Sequence, residues 1–304
     1  MSEIIMPLSS CEETRGEELE KIKRAFDEGT LCILLRGERG IGLRDLVDCY
    51  AAARFDPDDV FRYEQSEDMR MKRLSGQVDF ELLYEQNPGI ERPLLLILIG
   101  VAVDTLERCL PSHQWSQWQV IAINYEDPEI PETIKILPVN TTERFWASFR
   151  QEYKNALGGV NWEAFLRACG NNPFAAKFLV CNRDRYDKSF PKVITTLADD
   201  GNTTGKVKDA YDLMSEGETQ TFTFVEATVL HALSVPGRMG KSAQELLTLM
   251  QKGQLGVTPS ELQRSLKKLH QGTWLEYVYL PSKQTHGYRL HYLVYEAVHG
   301  LIDG

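Results

Sequence analysis

The sequence predicts a parallel α/β domain, then a helical segment, then a C-terminal region of three helices and a β-hairpin. Two apolar runs without alternation, residues 31–35 and 94–103, have the pattern of strands that are covered on both faces of a parallel sheet. After Pro138 the apolar residues recur with helical spacing instead. We therefore expect three domains, with bounds at residues 1–138, 139–215 and 216–304.

The predicted sheet contains a strand, a glycine-rich turn and a helix in direct succession. Residues 31–35 form the strand, Gly37 to Gly42 form the turn, and the amphipathic helix begins at Leu43. Further strands are expected at 94–103, 118–124 and 134–137, with helical stretches between them. Such an alternation favours a parallel sheet. The charged stretch 58–77 is not assigned to any element.

The C-terminal region has the pattern of a winged helix. Helices are expected at 224–233, 242–251 and 259–270, followed by strands at 273–280 and 287–291. Thr258 can cap the third helix, Pro259 suits its first position, and Glu261 completes a capping box. The third helix then occupies the position of a recognition helix.

Composition limits the classes of function. Hydrophobic residues make up 42% of the 304 residues, and the net charge is −10. Residues 221–304 carry a net charge of +2 and the remainder −12, a balance that argues against broad non-specific binding to nucleic acid. The longest apolar run has ten residues, too few to cross a membrane, and the N-terminus has no signal-peptide pattern, so we expect a cytoplasmic protein. Six scattered cysteines without a CxxC pair predict no metal site.

The glycine-rich turn has the glycine spacing of a phosphate-binding loop but lacks two of its chemical groups. Such a loop directs backbone N–H groups at phosphate oxygens, a lysine at the β- and γ-phosphates, and a Ser/Thr hydroxyl at Mg²⁺. Here Leu43 and Arg44 stand in the last two places. A phosphate-binding arginine or an ordinary solvated one would each fit at positions 39 and 44. The candidate nucleotide-binding residues of this turn are Gly37, Arg39, Gly40, Ile41, Gly42, Leu43 and Arg44.

The second apolar strand also lacks the groups that hydrolysis needs. A working NTPase ends this strand with acids that hold Mg²⁺ and polarise water. This chain has Ile99 and Gly100 there, and the nearest acid is Asp104. We therefore assign no catalytic residue and expect no efficient hydrolysis by the usual route.

Taken in order, these segments resemble the STAND branch of the AAA+-related P-loop NTPases, which includes the NB-ARC switch proteins. RGEEL (15–19) is similar to the Gly-Arg-Glu element, with its first two residues exchanged, and LLRGERGIGLRDLV (34–47) resembles Walker A. LLLILIG (94–100) resembles Walker B without its acids. Asn124 falls where a sensor residue stands.

The second half of the chain continues the resemblance. CGNNPFAAKFL (169–179) resembles the Gly-x-Pro segment of the helical lid, with Asn171 in the glycine's place. YRLHYLV (288–294) is similar to the Met-His-Asp region of the winged helix, of which only the histidine is kept. The resemblance implies that Pro173 lies near an adenine and that His291 approaches ADP phosphates. It implies ADP or ATP as the cofactor, and no metal is expected.

These three candidates also have purely structural explanations. Pro173 suits the first position of a helix. His291 is also explained as a half-buried histidine of the hairpin, and Asn124 as an ordinary strand end. Both interpretations stay open at this point.

Three functions are compatible with the sequence. The first is a signalling pseudo-NTPase, as in prokaryotic defence or signal transduction, which serves as a switch or scaffold for protein partners, an oligomer or a companion effector chain. The alternative is a DNA-binding regulator that resembles origin-binding proteins. The third is an ATPase that uses atypical residues or a partner's active site. The candidate DNA-contacting residues are Arg264, Lys267, Lys268 and Lys283.

Overall fold

The chain folds into two compact units, Met1–Phe149 and Arg150–Gly304. The computed structural model describes residues 8–64, 92–101, 106, 110, 117–124, 134–186, 188–198, 203–215, 222–234, 240–280 and 285–299. The helical segment and the C-terminal region, which the sequence suggests as separate domains, lie in the same unit. The finer division at residues 138 and 215 stays a prediction.

The first unit contains the parallel sheet that the sequence predicts. Five strands pair in the order β2-β3-β4-β1-β5, and every pair is parallel. The side chains of β3 are buried throughout, which explains its unalternated apolar sequence. The strands are β1 Cys32–Arg36, β2 Val60–Glu64, β3 Leu94–Ile99, β4 Trp118–Asn124 and β5 Lys135–Pro138.

Both faces of the sheet are covered. Alternate residues of β1 point to opposite faces, so that Ile33 and Leu35 join one apolar cluster while Cys32 and Leu34 join the other. Helices α1 Leu8–Asp27 and α2 Leu43–Arg54 supply the first cluster. Strand β2 lies in the stretch that the sequence analysis left unassigned. As a partly exposed edge strand, β2 lacks the apolar pattern of its neighbours.

The helices of the second half begin with α3, whose N-terminal part belongs to the first unit. Their bounds are α3 Glu143–Glu152, α4 Trp162–Ala168, α5 Pro173–Cys181, α6 Phe190–Leu197, α7 Thr203–Ser215, α8 Phe224–Leu233, α9 Ala243–Lys252, α10 Pro259–Gln271 and α11 Tyr292–His299. No helix in the described part of the chain is long and apolar enough to cross a membrane.

The C-terminal elements follow the predicted order of three helices and a hairpin. Strands β6 Leu275–Leu280 and β7 Thr285–Leu290 pair antiparallel after α10. The capping box of Thr258 and Glu261 is present, and α8 and α9 begin with capping boxes of their own. Helix α11 was not predicted. The winged-helix interpretation depends on this element order and stays a prediction.

A buried amide connects the helical segment to the C-terminal region. The side chain of Asn182, at the end of α5, donates to the carbonyls of Phe178 at 2.9 Å and Gly272 at 2.8 Å. Its Oδ1 accepts from Trp274 Nε1 at 2.7 Å. Asn182 is 1% exposed, so each of these bonds replaces water that a buried amide cannot reach. These contacts help to explain why the two segments form one unit.

A second connection is a buried ion-pair network around Glu226 of α8. Its carboxylate, only 1% exposed, lies 3.3 and 3.4 Å from the Arg185 guanidinium nitrogens and 3.3 Å from Lys268 Nζ. Burial raises the pKa of Glu226. The hydrogen bonds from Arg185 and the Thr223 N–H, together with the charges of Arg185 and Lys268, outweigh burial and lower the pKa overall.

We expect the ionised Glu226 to make the second unit more stable above pH 4.5 than in strong acid. Because the folded pKa lies below the ordinary 4.5, this contribution is complete above that value and is lost as pH falls through the folded pKa. Glu226→Gln should lower the free energy of unfolding near neutral pH by about 3 kcal/mol, since it leaves the Arg185 charge buried without a carboxylate.

Urea denaturation of both proteins across the acid range measures this difference. Glu261→Gln changes an exposed capping-box glutamate and is the matched control, with a much smaller expected effect. A Glu226→Gln deficit that is the same in strong acid as at neutral pH would contradict the ionised pair.

Candidate functional site

The glycine-rich turn connects β1 to α2 at the carboxyl edge of the sheet, where ligands bind in many α/β folds. Gly40 has φ 89° and Gly42 has φ 83°, in the left-handed region that favours glycine. A Cβ atom at Gly37 would lie 2.9 Å from the Val139 carbonyl oxygen and would collide with the Ile41 side chain. The turn therefore needs all three glycines for its own backbone path.

Leu43 stands where a phosphate-binding loop has its lysine, and it belongs to the protein core. It is the first residue of α2 and is 1% exposed. Its side chain packs in the cluster that includes Leu46 and Val47 of the same helix. Arg39 and Arg44 are partly exposed, and both already interact with other groups.

The neighbouring strand ends bring Asn124 to the same edge as the turn. Asn124 ends β4, pairs in register with Arg36 of β1, and is 4% exposed. Its Nδ2 donates to the Val101 carbonyl at 3.3 Å. After β3 the described residues are Gly100, with φ 71°, and Val101, and neither carries a carboxylate. Asp104 lies outside the described residues.

The residue that the sequence analysis missed as part of this region is Arg15 of α1. Its side chain is buried, and its Nη2 donates to the Ile41 carbonyl within the glycine-rich turn. Arg15 lies three residues before Glu18 and seven before Ile22, a helical spacing that places it on the buried face of α1. A charged residue on this face was the available signal.

In the second unit, Pro173 is the first residue of α5. The side chain of Asn172 caps this helix by accepting from the N–H groups of Phe174 at 3.0 Å and Ala175 at 3.3 Å. Asn171, which replaces the glycine of the resembling motif, has φ 55°, a conformation that asparagine tolerates better than most residues. Pro173 thus has the structural role that a proline at a helix start usually has. Its role toward adenine stays a prediction.

His291 lies between β7 and α11 and is held on three sides. Its ring stacks on Phe174, with centroids 3.5 Å apart and planes 9° from parallel. Its Nδ1 accepts from the Leu293 N–H at 3.3 Å and so caps α11. Its Nε2 lies 3.6 Å from Glu276 Oε1, and the other oxygen of Glu276 accepts from Arg289 Nε at 2.7 Å. The structure thus brings the Pro173 segment and His291 together, through Phe174.

Three of the four candidate DNA-contacting residues lie on α10, and their side chains differ in environment. Arg264 and Lys267 are exposed. Lys268 is also exposed, but its ammonium lies 3.3 Å from the buried Glu226. Lys283 lies outside the described residues. In the part of the chain that the structure describes, no three His, Cys, Asp or Glu residues are grouped to hold a metal ion.

Comparisons with known proteins address the fold. No protein-family model and no curated protein sequence matches the chain. Among solved structures, the chain is similar to a Signal Transduction ATPase with Numerous Domains (STAND) protein with a tetratricopeptide repeat sensor from Pyrococcus horikoshii. The TM-score is 0.54 at 15% identity, and the match covers 94% of this chain and 42% of that protein. The chain has a P-loop NTPase-like fold.

Two further structures are similar over most of their length but at lower scores. The Walker-type ATPase of Pyrococcus abyssi matches with a TM-score of 0.37 and 10% identity, over 95% of this chain and 96% of that one. Cdc6p from Pyrobaculum aerophilum matches with 0.39 and 11%, over 95% and 93%. Because both scores are below 0.5, the P-loop NTPase-like assignment depends on the first match. The chain spans less than half of that STAND protein.

We expect His291 to stabilise the second unit in two separable ways. His291→Asn keeps a side-chain oxygen that can cap α11 but loses the stack on Phe174, which is worth about 1 kcal/mol. His291→Phe keeps the stack and loses the cap, at a cost of about 1 kcal/mol. His291→Ala loses both, and its deficit in urea denaturation should approach the sum of the other two. A His291→Ala protein as stable as either single-loss variant would contradict this separation.

Proposed function

We propose that this chain is a STAND-like regulatory protein that uses a P-loop NTPase-like fold as a switch or scaffold for protein partners, without efficient ATP hydrolysis. The observation that carries the proposal is the burial of Leu43. Where the lysine of a phosphate-binding loop reaches the β- and γ-phosphates, this chain has an apolar side chain that is 1% exposed and packed in the core.

The magnesium-handling positions support the same conclusion. Arg44 takes the place of the Ser/Thr hydroxyl, and a guanidinium carries donors only, so it cannot ligate a cation. Strand β3 ends in Ile99 and continues into Gly100 and Val101, without an acid to hold Mg²⁺ or polarise water. Phosphoryl transfer depends on stabilising negative charge. Here neither a lysine at position 43 nor Mg²⁺ ligands at positions 44, 99 and 100 supply that stabilisation.

Loss of hydrolysis does not remove the capacity to bind an anion. The turn retains the glycine-dependent backbone path, and the N-terminus of α2 favours negative charge. ADP or ATP therefore remains the ligand that the proposal names, with the turn, Asn124, Pro173 and His291 as its candidate contacts. The match covers only 42% of the STAND protein, whose chain carries a tetratricopeptide repeat sensor. We propose that a sensing or effector part belongs to a partner or to another segment.

We expect no ATP turnover that depends on the glycine-rich turn. Gly40→Ala places a side chain at φ 89° inside the turn, and Gly29→Ala places one at φ 88° in a turn with open space around it. The two variants carry similar backbone strain, because φ is nearly the same at both glycines. Phosphate release with ATP and Mg²⁺ should be at background for both variants and for the unmodified protein.

Turnover that is present in the unmodified protein and in Gly29→Ala but lost in Gly40→Ala would show an active ATPase and overturn the proposal. The same preparations, denatured and analysed by chromatography, would report bound nucleotide. Stoichiometric ADP or ATP supports a nucleotide-held switch, and an empty protein without a melting shift in ATP and Mg²⁺ supports a scaffold.

A DNA-binding regulator is the second candidate, because Arg264 and Lys267 are exposed on the third helix of the C-terminal group. The overall charge of −10 opposes phosphate contact, and Lys268 is engaged by Glu226. We therefore expect no salt-dependent mobility shift with duplex DNA. A shift that is lost in Arg264→Glu/Lys267→Glu, but kept in Lys192→Glu/Lys252→Glu on other exposed helix surfaces, would favour the DNA-binding function instead.

A further inference from the structure

Arg15 is a buried cation that contacts the glycine-rich turn from another helix. It lies on α1, 26 residues before Ile41 in the chain, and is 5% exposed. Burying a guanidinium is costly unless its donors are satisfied. The groups that bind the Arg15 guanidinium therefore have to offset the cost of its burial.

The guanidinium connects three segments of the first unit. Its Nη2 donates to the Ile41 carbonyl in the turn. Its Nη1 lies 3.5 Å from the Asn140 carbonyl, beyond the end of β5, and its Cζ lies 5.5 Å from the centre of the Phe145 ring at the start of α3. A planar fork with five N–H donors can serve several acceptors at once, which a lysine ammonium at the same place would do less well.

Two carboxylates partly offset the cost of burying the Arg15 charge. Glu18, one helical turn along α1, lies 3.5 Å from Nη1, and Asp45 acts on Arg15 from the first turn of α2. Burial has the largest effect and lowers the pKa of Arg15 overall, while Glu18 and Asp45 raise the pKa and so offset part of that effect. An arginine pKa starts high enough that the group stays protonated at neutral pH.

The turn itself is held from two directions. The Ile41 side chain is 4% exposed and packs in the core, while the Ile41 carbonyl is bound by Arg15. A Cβ atom at Gly42 would lie only 3.3 Å from Arg15 Nη2 and 3.4 Å from Asp45 Oδ2. Gly42 thus allows the cation and the carboxylate to approach the beginning of α2 closely.

We propose that Arg15 is a positioning residue that holds the glycine-rich turn in its folded conformation whether or not a ligand is bound. In a phosphate-binding loop the ligand's charge helps to organise the backbone, whereas here a charge of the chain itself does so. The proposal does not depend on the proposed function, because an active ATPase and an empty scaffold would both use it.

Hydrogen–deuterium exchange of the full chain tests the proposal. The reporters are the amides of Ile41 and Leu46, which bond to the carbonyls of Glu38 and Gly42, and the reference is the β3 strand. In Arg15→Gln the turn peptide should exchange about tenfold faster, the effect of losing one hydrogen bond from a charged donor. Exchange in β3 should stay unchanged. Lys23→Gln alters a partly exposed cation on the same helix and should leave both peptides unchanged.

Arg15→Lys separates positioning from general destabilisation. One ammonium can replace the bond to Ile41 but not the whole fork, so turn exchange should fall between the unmodified protein and Arg15→Gln. An unchanged turn in Arg15→Gln, or an equal acceleration in the turn and in β3, would overturn the proposal. If Arg15→Gln does not fold, Arg15→Lys decides, and turn exchange equal to that of the unmodified protein would overturn it.

Discussion

The burial of three adjacent strands on both faces is the constraint on which the first unit depends. Because β3, β4 and β1 lie side by side and covered, their backbone groups are satisfied by the neighbouring strands of the sheet rather than by water. Their parallel pairing then places every carboxyl end at one edge. The glycine-rich turn, Gly100 and Asn124 are neighbours for this reason, although they are distant in sequence.

The second unit depends on buried polar contacts as well as on apolar packing. Asn182 and Glu226 are both almost fully buried, and each has its polar atoms paired with groups from a different part of the unit. Such contacts specify one arrangement, because a shifted arrangement would leave buried donors or acceptors unpaired. This explains why the helical segment and the C-terminal helices, which differ in sequence pattern, form one compact body.

The sequence analysis predicted elements whose signal is local. The covered strands have unalternated apolar runs, and the capping box at Thr258 and Glu261 marks the start of α10, as the structure confirms. The burial of Leu43 also agrees with its place on the apolar face of the helix that begins there. Strand β2 escaped notice because an edge strand with Arg62 exposed lacks that pattern. The stack of Phe174 on His291 joins distant segments, and no local signal encodes it.

The pairing of Lys268 with Glu226 has a consequence for any partner that approaches α10. The Lys268 side chain is 57% exposed, so an anionic partner would compete with an internal carboxylate for its ammonium. If a partner bound Lys268, Glu226 would keep only Arg185 of these two cations. Binding through Lys268 would therefore be linked to the stability of the second unit. A partner that contacts only Arg264 and Lys267 would not carry this linkage. Binding through Lys268 and binding through Arg264 and Lys267 alone would thus differ in their effect on the stability of the second unit.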